Sequence, residues 1–282
     1  SMPTKPYDSP SYCSPPKYGS KTQYAKVDSS PSLSRKQIKY IQRVVGKLLF
    51  YARAIGLTML HALNDIAIAV SKGTEATLQA TKYLLSYAAS HPSTAITCRA
   101  PGMALTARSG AACLVAPEAR SRAGGCHFLT AKDGSLSNGP ILVLAKATKR
   151  TMPSAAEAEA AALFLNAQEG AQLRAILQAM GWKQPKAAIA TGSSAAAGAA
   201  SNAMKQARSK SWGMSRHWLR RRASQEQFEY KWESGDNNLA GISTKHHTSK
   251  HHRAHRPTYA WVEGVSPEAL ARVHQITIKN RP

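Results

Sequence analysis

From Ser154 to about Met180 the chain carries one helical pattern with no Pro in it, and Gly181 supplies the stop. The runs on either side are of another kind. Before it, Ile96–Cys98, Ala104–Ala107, Ala111–Val115, Cys126–Leu129 and Ile141–Lys146 are short strand-like runs broken by Gly, Pro and Ser. After it come a short strand at Ala187–Ala190, a small Ala-rich helix at Ala195–Lys205 and a basic helix at Ser215–Gln225. Phe228–Trp232 then alternates as a strand, and Asn238–Ser243 reads as a last helical turn or two. Strands grouped first, then helix, strand, helices, strand and helix, is an α+β order. The expectation is a mixed sheet of about five strands within residues 103–232, with the long helix packed across it.

The first third of the chain has no strand signals. Residues 1–33 are rich in Pro, Ser and Tyr, show no period and read as an extended arm or disorder. Ser34 is placed to cap a helix whose apolar face is Ile38, Ile41, Val44, Val45, Leu48, Leu49 and Ala52. Further helical patterns cover about Met59–Val70 and Glu75 to about Ala89, and His91-Pro92 ends the last. The expected division is an arm over 1–33, a small helical unit over 34–95, an α+β domain over 96–245 and a basic tail over 246–282.

Charge narrows the function. Lys plus Arg number 38 against 15 Asp plus Glu, a formal net charge of +23. Such an excess points to a polyanionic partner, of which nucleic acid is the commonest. The plainer reading is a basic, inert surface. Cys13, Cys98, Cys113 and Cys126 include no CxxC pair, so neither a zinc ribbon nor a redox pair is indicated. Free thiols in an intracellular, reducing compartment are expected. No run is apolar and long enough to span a bilayer, so no membrane partner is expected. The tract Lys245-His-His-Thr-Ser-Lys-His-His-Arg-Ala-His-Arg256 holds five histidines, but no Cys or carboxylate flanks them. A cationic, solvated tail is favoured over a metal site there.

Six motifs in order carry a family resemblance. They are Val45-Gly-Lys-Leu-Leu-Phe-Tyr-Ala-Arg53, Met59-Leu-His-Ala-Leu-Asn-Asp-Ile-Ala67, Glu118-Ala-Arg-Ser-Arg-Ala-Gly-Gly125, Ser154-Ala-Ala-Glu-Ala-Glu159, Lys205-Gln-Ala-Arg-Ser-Lys210 and Asn238-Leu-Ala-Gly-Ile-Ser-Thr-Lys-His-His247. Over roughly residues 7–260 the chain resembles the C-terminal part of a copia-type retrotransposon polyprotein: the end of its reverse transcriptase followed by its ribonuclease H domain. The resemblance implies a ribonuclease H-like fold for the α+β domain. It also implies a chemistry, cleavage of RNA in an RNA–DNA hybrid by two Mg²⁺ ions held by four carboxylates.

Those carboxylates should stand on the first strand, the long helix, the fourth strand and the last helix. On the matching motifs the helix residue is Glu159, whereas the other three positions read Gly110, Gly192 and Gly241. One carboxylate cannot organise two hard cations, so the resemblance implies an inactive site and no cofactor, with Mg²⁺ only if Glu118 or Asp236 substitutes. The polymerase half also lacks its catalytic palm. No phosphate-binding Gly loop and no Gly-x-Ser-x-Gly turn appear.

A binding surface survives in the same stretch. Lys205, Arg208, Lys210, Arg216, Arg220, Arg221, Arg222 and Lys245 cluster near the last helices, with Trp212 and Trp218 among them. Cations that meet phosphates beside rings that stack on bases make a nucleic-acid surface. Core tryptophans beneath a solvated arginine face explain the same residues equally well. Three functions fit: an inactive ribonuclease H-like remnant that binds RNA or RNA–DNA hybrid, a repurposed structural subunit of a ribonucleoprotein assembly, and an active hybrid nuclease.

Overall fold

The structure is a computed structural model that describes residues 5–13, 28–98, 102–116, 120–132, 138–148, 151–152, 154–201, 213–235 and 237–260. The chain forms two compact units: residues 1–97 with 245–265, and residues 98–244 with 266–282.

The first unit is helical. Helix α1 (Arg35–Ala54) starts where Ser34 and Gln37 cap each other reciprocally: Ser34 Oγ accepts from Gln37 N, and the Gln37 side chain accepts from Ser34 N at 3.0 Å. Helices α2 (Leu60–Ala69) and α3 (Glu75–Ser90) follow, the latter capped by Thr74. Ile41, Leu63, Leu84 and Tyr87 form the buried centre, where Thr58 and the Tyr87 hydroxyl share a 2.7 Å hydrogen bond. Of the α1 stripe only Ile41 and Ala52 are buried.

The histidine tract departs from expectation. Ser249–Tyr259 form helix α7, capped by Thr248, and it belongs to the first unit; it is not a solvated tail. The reason is its buried side: His252 and Tyr259 are covered, Arg256 lies over the Tyr87 ring, and Arg253 pairs with Asp8 at 2.5 Å. Tyr7 N donates to Ser90 Oγ, so the described part of the expected arm is also packed in this unit.

The second unit is α+β. Its sheet has the order β3-β2-β1-β4-β5, with β1 (Ala104–Ala116), β2 (Arg120–Thr130), β3 (Leu142–Ala147), β4 (Ala187–Thr191) and β5 (Phe228–Trp232). β1, β2 and β3 pair antiparallel, while β4 runs parallel to β1 and β5 parallel to β4. Two expected strands, 104–107 and 111–115, are one: paired with β2 on one side and β4 on the other, β1 continues through the polar Arg108-Ser-Gly step because ladder bonds require no apolar side chains. Ile96–Cys98 is not a strand.

Helix α4 (Ala155–Ala179) crosses one face of the sheet. Leu163 and Ala167 pack with Leu105, Ala107 and Ile189, and Phe228 and Tyr230 of β5 complete this core. α5 (Ser194–Ala200) and α6 (Gly213–Ser224) complete the unit's helices among the described residues, and Leu239–Ser243 is a 3-10 turn.

Two adjacent glycines set how closely the sheet is covered. A Cβ on Gly125 would lie 2.6 Å from Asn166 Nδ2 of α4, and nearer still to the other amide atoms. A Cβ on Gly124 would overlap Ser243 and Thr244 and lie 3.1 Å from Ala240 O. Neighbouring strand residues point to opposite faces, so the pair admits α4 on one side and the 3-10 turn on the other.

Candidate functional site

Asn166 fixes α4 over the strands. Its Nδ2 lies 3.1 Å from Ser109 Oγ, 2.9 Å from Gly124 O and 2.9 Å from Ala162 O, all buried. Two helical turns earlier, on the same stripe of α4, stands Glu159. Ser109 is paired with Thr191 across the parallel ladder, and Thr191 Oγ1 donates to Glu159 Oε2 at 3.1 Å. The carboxylate of Glu159 is therefore held at the C-terminal end of β4.

Gly192 follows at once. A Cβ there would be 3.4 Å from Glu159 Oε1 and 3.8 Å from Asn238 Nδ2. Gly110 approaches the same amide from β1: its Cβ would be 3.8 Å from Asn238 Nδ2 and 3.3 Å from the Ala240 methyl. Gly110, Glu159 and Gly192, far apart in sequence, thus converge around Asn238. Gly241 lies in the turn that Asn238 opens, its N–H bonded to Asn238 O at 3.0 Å.

The orientation of Asn238 is fixed by its partners. Oδ1 accepts from Ala240 N at 3.0 Å, and Nδ2 donates to Ser109 O at 2.8 Å. The NH₂ end therefore faces the space between Gly110 and Gly192. A pair of hard cations needs oxygen ligands, and this centre offers Glu159, two glycines without side chains and an amide donor. These residues do not fit a Mg²⁺ pair. Glu118 and Asp236 lie outside the described residues.

A carboxylate that the sequence reading missed stands nearby. Glu233 follows β5, its N–H bonds Thr191 O at 2.9 Å, and its side chain pairs with Arg108 Nε at 2.8 Å. Arg108 lies on the Gly110 face of β1, two residues earlier. The guanidinium neutralises that carboxylate. No motif marks Glu233, and only the β4–β5 pairing places it here.

The expected basic surface is described in part. Lys205, Arg208, Lys210 and Trp212 lie outside the described residues. On α6, Arg221 is exposed and Arg216 and Arg220 are half-buried. Trp218 is a packing residue: it meets Phe164 edge-on at 5.5 Å between ring centroids, and Arg222 covers its ring at 4.8 Å. Arg222 also donates to Gln227 Oε1 at 2.8 Å, so it is committed within the unit. Lys245 is exposed and belongs to the first unit. The exposed ring near the site is Trp232, 57% accessible and paired in the ladder with Thr191. Its alternation with Phe228 and Tyr230 suggests a buried strand residue, and only its place at the strand end exposes it.

No protein-family model and no curated protein matches the chain. Three solved ribonuclease H structures resemble it. The N-terminal RNase H domain of Rv2228c from Mycobacterium tuberculosis is 15% identical, covering 48% of this chain and 91% of that one, with a TM-score of 0.35. LC11-RNase H1, isolated from compost by a metagenomic approach, is 10% identical over 50% and 93%, with a TM-score of 0.38. RNase H1 from Halobacterium salinarum NRC-1 is 12% identical over 48% and 89%, with a TM-score of 0.27. The second unit combines a five-stranded mixed sheet with a crossing helix, an α+β fold. Among the described residues no helix is long and apolar enough to cross a membrane.

Proposed function

We propose that the second unit is a ribonuclease H-like domain, derived from a copia-type element, that binds nucleic acid and has lost hydrolysis. The observation that carries this reading is the Asn238 amide, held between Gly110 and Gly192 where a metal pair would need carboxylates. Binding rests on the net charge of +23 and on the exposed Arg221 and Trp232. Cations neutralise phosphates without reading sequence, and an exposed indole stacks on unpaired bases. No metal cofactor is required for either.

The test is a labelled RNA–DNA hybrid incubated with the full chain in Mg²⁺ or Mn²⁺, alongside anisotropy titrations over a range of salt. Retention without cleavage is expected, with affinity falling steeply as salt rises. Arg221→Gln should reduce the log–log salt slope by about 0.9 for one lost phosphate contact. Trp232→Ala should weaken single-strand binding more than duplex binding. Cleavage by the unmodified chain that disappears in Glu159→Gln would overturn the reading.

A further inference from the structure

We propose that the first unit holds a Zn²⁺ site made by His61, Asp65 and His246. These are the one group of three metal-ligating side chains whose ligand atoms, among the described residues, all lie within 4.8 Å of one another. His61 and Asp65 stand four residues apart on α2, on one helix face, as a bidentate clip requires. His61 Nε2 is 3.7 Å from Asp65 Oδ2, and His246 Nε2 is 2.8 Å from the same oxygen. Two imidazole nitrogens thus converge on one carboxylate oxygen.

The spacing suits a tetrahedral ion. Ligands about 2.0–2.1 Å from Zn²⁺ are roughly 3.3–3.4 Å apart; the two separations to Asp65 Oδ2 bracket that value, and the two imidazoles offer ligand nitrogens within 4.8 Å of each other. Insertion needs the close His246–Asp65 pair to open by roughly half an ångström. Those two side chains are 35% and 32% exposed, whereas His61 is 5% exposed. Two nitrogens and one oxygen select a borderline metal over Mg²⁺ or Ca²⁺, which prefer all-oxygen shells.

The outer shell is also present. Ser11 Oγ is 2.6 Å from His246 Nδ1, which leaves Nε2 facing Asp65. Asp65 and His246 also line a groove with Pro10, Tyr12, Asp28 and Tyr83, which gives water a route to a fourth coordination position. The ligands come from α2 and from the segment before α7, with residue 11 behind them. A bound ion therefore ties the C-terminal return of the chain to the helical unit, a structural role that couples metal binding to folding.

The test uses the full chain, stripped with chelator and titrated with Co²⁺ and then Zn²⁺. One equivalent of Co²⁺ should give the intense visible bands of a tetrahedral site, Zn²⁺ should displace it, and the melting temperature of the first unit should rise. Asp65→Asn and His246→Gln, both at accessible positions, should each weaken this binding at least tenfold while keeping the far-ultraviolet spectrum. The triple variant His247→Gln, His251→Gln, His255→Gln removes the neighbouring imidazoles and should leave the bands in place. The proposal is overturned if the unmodified chain gives no tetrahedral spectrum, if both single variants bind as the parent does, or if the triple variant abolishes the bands.

Discussion

Gly125→Ala should be among the most damaging single-methyl additions in the second unit. The new Cβ would lie 2.6 Å from Asn166 Nδ2, with Cγ and Oδ1 closer, so the whole amide must leave its place. Overpacking of this kind costs about 1–3 kcal/mol. Moving the amide also breaks its buried bonds to Ser109 Oγ and Gly124 O, which leaves polar groups unpaired at about 1–3 kcal/mol each. A loss of at least about 3 kcal/mol is expected on these two counts. Asn166→Ala forfeits the hydrogen bonds but removes the obstacle, so the double variant should be less damaged than the sum of the singles by about 2 kcal/mol. Urea unfolding followed by tryptophan fluorescence reads this directly, since Trp182, Trp218 and Trp232 all report on the second unit. Additivity within about 0.5 kcal/mol would refute the claim that Gly125 exists to admit Asn166.

Two further outcomes can be checked. Burial and the neighbouring imidazoles His247, His251, His246 and His255 pull His252 down to about 3, and burial with its own neighbours pulls His251 to about 4. The unfolded chain then binds more protons than the folded one below the ordinary histidine value. Stability conferred by the neutral rings is complete above about pH 6.5 and is lost as pH falls toward 4, with a slope approaching about 1.4 kcal/mol per pH unit for His252; melts of the first unit in chelator between pH 7 and 4 should show it, and a flat profile would contradict the burial of α7. Burial likewise pushes the Cys126 thiol up to about 12, while Cys98 is exposed. A thiol reagent at pH 8 should therefore modify Cys98 at once and Cys126 only on unfolding, as mass mapping of a Cys126→Ala control would verify.

Periodicity placed most elements because each records which face is buried. The α4 pattern, the capping Ser34 and the alternation of Phe228–Trp232 are local signals, and each matches an element of the structure. The α+β order, and with it the five-stranded sheet, follows from how such elements alternate. That Gly110, Gly192 and Gly241 supply no ligand is likewise a matter of sequence alone, since a glycine has no side chain to offer in any fold.

Other features existed only once the chain was closed. Nothing in the local sequence distinguishes a solvated histidine tract from a helix, because its burial comes from Tyr87, Asp8 and their neighbours, remote in the chain. The same holds for Trp218, which Phe164 and Arg222 turn from a stacking surface into packing, and for Trp232, which its place at the end of β5 exposes. Asn238 acquires its role through hydrogen bonds to Ser109 and Ala240, and His246 meets Asp65 only when the C-terminal return rejoins the first unit. Sequence fixed which side chains were available and which local geometry each stretch preferred. Tertiary structure decided which of them share a site, because contacts between residues distant in the chain depend on how whole elements pack and leave no periodic trace in either segment.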